Sequence, residues 1–386
     1  MLSSTVDRPW PVWDQKEEQA LRDTVFSGKW GTLGPSAMRL ASEFAGYIGV
    51  KHAIAVTSGT VGLEIILRGL GIGYGDEVIV TAYTFAATVS AIAMTGATPV
   101  FADIALPSCN LDPGELEKNI TEKTKAVVAV HVAGQPCDMG AICRTAKKHG
   151  LYVVEDASHA HGSEYGGKKT GALGDAAVFS CQNSKNITCG EGGLLVTDDE
   201  AIFAQCWRYH DSGRQFDGQT GLGTNARMTE FQACVLLKQL GRMPGQLEKR
   251  TANALHLIDR LSEIREIVLP EHSGFVHSWF LFQILFKPEY MGLRDDWIKT
   301  INENGVPASR GYPNLAREGF LAADNRYFRK TTGAKLDYAA VALPNTDLAA
   351  KSAMWLPGRL FLGETEHMDA IAEAFYQAKK AKGAKA

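Results

Sequence analysis

The chain has 386 residues, 45% of them hydrophobic and 22% charged, with a formal net charge of −3 at pH 7. That length accommodates one large α/β unit and a smaller one, and the composition is that of an ordinary globular enzyme. It excludes the strongly basic surface of a nucleic-acid binder, and Lys379, Lys380, Lys382 and Lys385 near the end read as a solvated tail.

The opening MLSSTVDRPWPVW lacks a basic stretch followed by an apolar core, so no secretion signal is expected. The seven irregularly spaced cysteines then read as reduced thiols of a cytoplasmic protein. The first 50 residues are expected to pack against the large unit as helix and loop. From about Ala53 to Thr197 the runs AIAVT, EVIVT, TPVFAD, AVVAVHV, YVVEDAS, AAVFSCQ and GGLLVTD alternate with helical stretches. Near-continuous apolar strands separated by helices imply an α/β fold with a mainly parallel sheet covered on both faces. Ligands of such sheets sit at the carboxyl ends of the strands. The uncharged stretch 78–102 is interrupted by Thr, Ser, Gly96 and Pro99, so it reads as strand, helix and strand rather than a membrane span.

In AVTSGTVGLEIILRGL a strand ends at Thr57 and a helix starts near Thr60, which puts Ser58-Gly59-Thr60 at a helix N-terminus. Free backbone N–H groups and flanking hydroxyls there suit a phosphate, although the same residues make a routine helix cap. Gly71-Ile72-Gly73-Tyr74-Gly75 follows a helix and precedes a strand, the reverse of a dinucleotide fingerprint, and reads as a helix stop and turn. In VVEDASHAHG the adjacent Glu155 and Asp156 face opposite ways at a strand end, so one can enter a site. A buried carboxylate there needs a cation: a protonated pyridine nitrogen, or a structural partner. His159 and His161 lack the companions of a metal site, and no metal is expected.

In AVFSCQNSKNITCGEGG, Lys185 lies in a polar loop after a strand. As a nucleophile it would need its proton affinity lowered by desolvation or a nearby positive charge; the alternative is a solvent-facing lysine. Cys181 and Cys189 read as packing residues. Helical sequence over about 230–260, then VHSWFLFQILF, a helix near 295–304 and a last helix from about Glu366 suggest a smaller α+β unit. The division is drawn at residues 1–245 and 246–386.

Together with SGKWGTLGPS, TAYTFAAT, VHVAGQP, TNARMTEFQA and PNTDLAAKSAMWLP, these segments run in the order found in the DegT/DnrJ/StrS aminotransferases, which the chain resembles over almost its entire length. The resemblance implies a three-layer fold-type I architecture and pyridoxal 5'-phosphate as cofactor. It matches Lys185 to the lysine that holds the cofactor as a Schiff base, Asp156 to the carboxylate on the pyridine nitrogen, and Phe85 to the residue stacked on the ring. Gly59, Thr60 and Ser180 match phosphate-binding positions, with Gln182 nearby. Asn225 matches a residue that reaches the neighbouring subunit's cofactor, which implies a homodimer with shared active sites.

Two departures bear on substrate. His159 stands where many members carry Gln beside the cofactor's phenolic oxygen, and Gln182 stands where nucleotide-sugar members carry His. The second departure and WPVWDQ resemble the branch that aminates cyclitols or makes amino-hydroxybenzoate precursors. The expectation is a ping-pong transaminase moving nitrogen from L-glutamine or L-glutamate to a keto-cyclitol or keto-sugar, with no nucleic-acid or membrane partner. A nucleotide-diphosphate keto-sugar, with Arg208, Arg214 and Arg310 as candidate phosphate partners, and a dehydratase or synthase on the same scaffold are the alternatives.

Overall fold

The computed structural model describes residues 6–7, 9–31, 34–215, 218–319 and 337–383. The chain enters through α1 (Gln15–Ser27), started by a capping box between Asp14 and Glu17, and α2 (Pro35–Ile48), which has proline at its first position. Seven strands then build the large sheet: β1 (His52–Val56), β2 (Glu77–Thr81), β3 (Thr98–Ala102), β4 (Thr124–Val130), β5 (Tyr152–Asp156), β6 (Ala176–Ser180) and β7 (Gly193–Thr197). Their spatial order is β1-β7-β6-β5-β4-β2-β3. β7 runs antiparallel to both neighbours; the remaining pairs are parallel.

Both faces of this sheet are buried, which is why its strands are continuous apolar runs. In β1, Ile54 and Val56 pack into one core while Ala53 and Ala55 pack into another. In β4, Val128 and Ala129 likewise face opposite cores. One face carries α3 (Gly59–Gly69), α4 (Ala86–Thr95) and α6 (Glu200–His210); the other carries α2, α5 (Met139–His149) and the start of α7 (Glu230–Leu261). The three-layer α/β reading holds, and stretch 78–102 is β2, α4 and β3. Gly71 and Gly75 have φ of 76° and 90°, the left-handed region expected of that turn. No helix among the described residues is long and apolar enough to cross a membrane.

The second unit is a four-stranded antiparallel sheet, β8 (Ile267–Val268), β9 (Leu281–Phe286), β10 (Ser309–Arg310) and β11 (Ala353–Pro357), in the order β8-β9-β11-β10. α8 (Arg294–Glu303) and α10 (Thr365–Gly383) cover it, and α9 (Pro344–Ser352) precedes β11. The line drawn at residue 245 falls inside α7, which continues past Pro244 although that residue has no N–H to donate to Leu240. Ala233, Leu236, Leu240 and Met243 of this helix pack into the large unit, and Ala254, Leu257 and Leu261 into the small one. Burial at both ends outweighs the interruption, and α7 becomes a rod joining the two units.

Candidate active site

A cavity of about 660 Å³ opens at the carboxyl edge of the large sheet, within the range typical of ligand sites. Its floor comes from the ends of five strands: Ser58, Gly59 and Thr60 after β1, Thr84 and Phe85 after β2, Val130 of β4, Asp156 of β5 and Ser180 of β6. The small unit supplies the far wall with Phe280, Leu281, Tyr312, Trp355 and residues 357–359.

Lys185 stands in this cavity on a loop pinned from several directions. Its own N–H donates to Gln182 O (2.9 Å), and Gln182 Oε1 accepts from the N–H and the hydroxyl of Ser184 (both 2.8 Å). Asn186 donates to Ser278 O (2.8 Å), Thr188 to Cys181 O (3.1 Å), and Trp10 Nε1 to Asn183 O (2.6 Å). The Lys185 Nζ lies 4.6 Å from the Phe280 ring centroid. Burial pulls its pKa down to about 8, against the opposing charge of Asp156. The solvent-facing alternative does not apply.

Glu155 and Asp156 divide as strand geometry requires. Glu155 turns away and accepts from the backbone N–H groups of Gly171, Leu173 and Gly174 (each 2.8 Å) and pairs with His131 Nε2 (2.9 Å). His131 Nδ1 accepts from Cys137 N (3.0 Å), so Nε2 carries the proton donated to Glu155. Asp156 turns into the cavity, where its oxygens accept from the Thr88 hydroxyl (2.7 Å) and Ser158 N (3.2 Å).

Gly59 and Thr60 open α3 behind Ser58, whose hydroxyl accepts from Val61 N (3.2 Å), so this segment is both helix cap and cavity wall. A Cβ on Gly59 would come within 2.9 Å of the Ser180 Cβ, which places these two expected phosphate residues against each other. Phe85, before α4, borders the cavity and is 61% exposed, with its ring centroid 6.4 Å from that of Tyr312. His159 is buried against Phe280, with ring centroids 4.3 Å apart. Desolvation and the charge of Lys185 hold it well below its ordinary pKa, hence neutral. Burial keeps the Tyr312 phenol protonated, and its hydroxyl shares a hydrogen bond with His159 Nε2 (3.3 Å). His159 Nδ1 is buried with no hydrogen-bond partner among the described residues.

The structure thus gathers Gly59, Thr60, Phe85, Asp156, His159, Ser180, Gln182 and Lys185 around one cavity. Asn225 is exposed and outside it, bridging to Asp211. None of Arg208, Arg214 and Arg310 lines this chain's cavity; Arg310 is ion-paired with Asp295 (2.6 Å). Among the described residues, the arginines that do line it are Arg250 and Arg359. Sequence reasoning missed both, together with Thr88 as the partner of Asp156 and the aromatic wall of Phe280, Tyr312 and Trp355. Thr88 lies in the TAYTFAAT segment and could have been found there; the others sit singly in helix, strand or loop and carry no local signal.

The family described as the DegT/DnrJ/EryC1/StrS aminotransferase family matches residues 12–376. The L-glutamine:scyllo-inosose aminotransferase of Streptomyces griseus is 32% identical over 96% of this chain and 94% of its own. Among solved structures, 3-amino-5-hydroxybenzoic acid synthase superposes with a TM-score of 0.89 at 30% identity, covering 98% of this chain and 100% of that one. NtdA from Bacillus subtilis, with the cofactor PMP bound, superposes with a TM-score of 0.83 at 28% identity over 95% of this chain and 82% of that one. With a lysine and an aspartate meeting at the carboxyl edge of the sheet and the match running almost end to end, the chain belongs to the DegT/DnrJ/EryC1/StrS aminotransferase family, whose enzymes depend on pyridoxal phosphate.

Proposed function

We propose that the protein transfers nitrogen from L-glutamine, or from L-glutamate, to the ketone of a cyclitol or a related ring, with Lys185 as the point of covalent cofactor attachment. The observation that carries this reading is the buried Lys185 beside Asp156 at the sheet edge. With its pKa near 8, about a tenth of Lys185 is neutral at pH 7, against a few parts in ten thousand for a free lysine. When bound, pyridoxal phosphate supplies an electron sink for negative charge at the donor's α-carbon.

The residues present fit that group. Asp156, held by Thr88 and Ser158, is the carboxylate that keeps a proton on the ring nitrogen. Phe85 offers an exposed ring, and the buried His159 Nδ1, with no partner among the described residues, suits a phenolic oxygen when it carries the ring proton. Gly59 and Thr60 supply backbone N–H groups at a helix N-terminus, with the Ser180 hydroxyl adjacent and Gln182 holding the loop. Lys185 Nζ is then the base that takes the proton from the donor's α-carbon.

A neutral polyol ring as acceptor is supported by the likeness to the scyllo-inosose aminotransferase and by the few cations that line the cavity among the described residues, of which Arg359 is already paired with Asp7 (2.7 Å). The assembly proposed is a homodimer in which Asn225 completes the neighbour's site. Its support is the position of Asn225 outside its own cavity and the exposure of Trp13, Phe26 and Trp30, apolar surface of the kind a second copy covers. A cytoplasmic setting accords with seven cysteines that form no disulfide. The test is a panel of keto-cyclitols and nucleotide-diphosphate keto-sugars offered with each donor. The reading fails if a nucleotide-linked sugar exceeds every free keto-cyclitol in kcat/KM.

A further inference from the structure

Arg250 is a buried charge that the assignments above leave unused. It stands in α7, is 1% exposed, and lines the cavity. Its Nε donates to Gly358 O (3.3 Å), and its Cζ lies 5.5 Å from the centroid of the Trp10 ring. Nη1 and Nη2 have no hydrogen-bond partner, and no carboxylate pairs with them, among the described residues. The other arginine of the wall differs: Arg359 donates to both oxygens of Asp7 (2.7 and 3.1 Å). A buried charge without a partner is unfavourable, and proteins keep one where a ligand supplies the opposite charge.

Building on the transaminase reading, we propose that Arg250 binds the α-carboxylate of the amino donor, with Nη1 and Nη2 taking its two oxygens. The planar guanidinium matches a carboxylate in this two-pronged manner. Arg250 and Lys185 line the same cavity, and an α-amino acid carries its carboxylate one bond from the carbon that bears the nitrogen. Lys185 Nζ lies over the Phe280 ring, Phe280 O accepts from Gly358 N (2.8 Å), and Gly358 O accepts from Arg250 Nε. The two cations are thus held on either side of one backbone junction, and His161 feels the charge of both. A Cβ at position 358 would collide with the carbonyls of Trp279 and Phe280, so this junction needs glycine. Burial pulls the Arg250 pKa down to about 9, which still leaves it charged at neutral pH.

The other anions of the reaction have less claim on this residue. The cofactor's phosphate has its own cradle at the α3 N-terminus, on a different wall. A polyol ketone carries no charge. The consequence is an asymmetry between the two halves of the reaction: the donor uses Arg250, and the acceptor occupies the same cavity without it.

The holoenzyme, Arg250→Gln and Arg250→Lys are compared in separate half-reactions followed by absorbance, with L-glutamine and L-glutamate as donors and a keto-cyclitol as acceptor. The expected result for Arg250→Gln is a loss of roughly 100-fold or more in kcat/KM for the donor half, mostly in KM. The acceptor half changes by less than about threefold, and cofactor retention and Tm are preserved. Arg250→Lys recovers part of the donor half through its point charge. Wild type prefers L-glutamine to 4-aminobutanamide, the same amine without the carboxylate, and Arg250→Gln loses that preference. Calorimetry with 4-carbamoylbutanoate, the donor skeleton without its amine, shows a matching loss of affinity. Equal losses in both halves, release of cofactor, or a donor half like wild type each overturn the proposal. A wild-type enzyme that accepts nitrogen from neither amino acid removes the transaminase reading itself, and this proposal with it.

Discussion

The two walls of the cavity are built on different principles. On the sheet side, Asp156 and Ser180 end their strands, and Ser58, Gly59, Thr60 and Lys185 follow a strand within five residues, so each is placed by the local run before it. On the other side, Arg250 comes from a helix, Trp355 from a strand, and Phe280, Tyr312 and Gly358 from the segments beside strands, and they meet only because the second unit packs against the first. The sheet side holds the groups suited to the cofactor, which is constant from turnover to turnover. In the proposed reading the opposite side meets the exchanging substrates; among the described residues it consists mostly of apolar and aromatic surface, with Arg250 lacking a carboxylate partner. On that reading the chemistry is anchored to the sheet, and selectivity is left to a surface that can vary without disturbing it.

The sharpest break of this comparison is Lys185→Ala, expected to lower turnover by about 10⁴-fold or more while leaving cofactor bound without a covalent link. Borohydride reduction and peptide mapping of the wild type check the assignment; label on Lys168 or Lys169 instead would transfer the role. Next is Asp156→Asn, with a rate loss of roughly 100- to 1,000-fold and an almost unchanged Tm. Its neighbour should behave in the opposite manner. Glu155→Gln places an amide nitrogen against backbone N–H groups that now donate to a carboxylate, so Tm falls by roughly 5–10 °C. If the two variants exchange phenotypes, the division of the pair is wrong.

A smaller effect tests whether the sheet-side wall is complete in one chain. Subunit exchange between inactive Lys185→Ala and inactive Asn225→Asp chains should restore about a quarter of wild-type activity, because half the dimers are hybrids with one intact site each. No recovery, with exchange proven, would mean that each site is built from a single chain. The smallest effect is a pH profile. Only neutral Lys185 attacks the cofactor's aldehyde, and its pKa is lowered, so capture of pyridoxal phosphate by the apoprotein should rise with pH and level off above about 8. A rate that keeps climbing towards pH 10.5 would show that the lysine is not desolvated.

Legibility followed the same line between the walls. The alternation of apolar runs and helices described the large sheet because each strand is buried on both faces and so written as an unbroken apolar segment. β7 was readable as a strand but not as the reversed one, since direction is not encoded in a five-residue run. The adjacent Glu155 and Asp156 could be recognised as a divergent pair, whereas which of them faced the cavity depended on where residues 171–174 folded back. The arginines singled out from the sequence, Arg208, Arg214 and Arg310, lie outside the cavity. The one that matters to its wall, Arg250, sits in a helix whose pattern of buried positions gives a charged residue no special mark.

What the sequence determined by itself was the sheet, its carboxyl edge and the residues attached to that edge by short loops, because strand periodicity and helix capping act over a few residues at a time. What only the tertiary structure decided was the opposite wall and the state of its charged groups. Arg250 is an ordinary charged residue until Gly358, Trp10 and the cavity surround it. Lys185 has its proton affinity lowered by burial in a cavity whose lining includes Phe280, more than ninety positions along the chain. Desolvation is a property of packing between distant segments, and it sets the proton affinity and the pairing needs on which the chemistry depends.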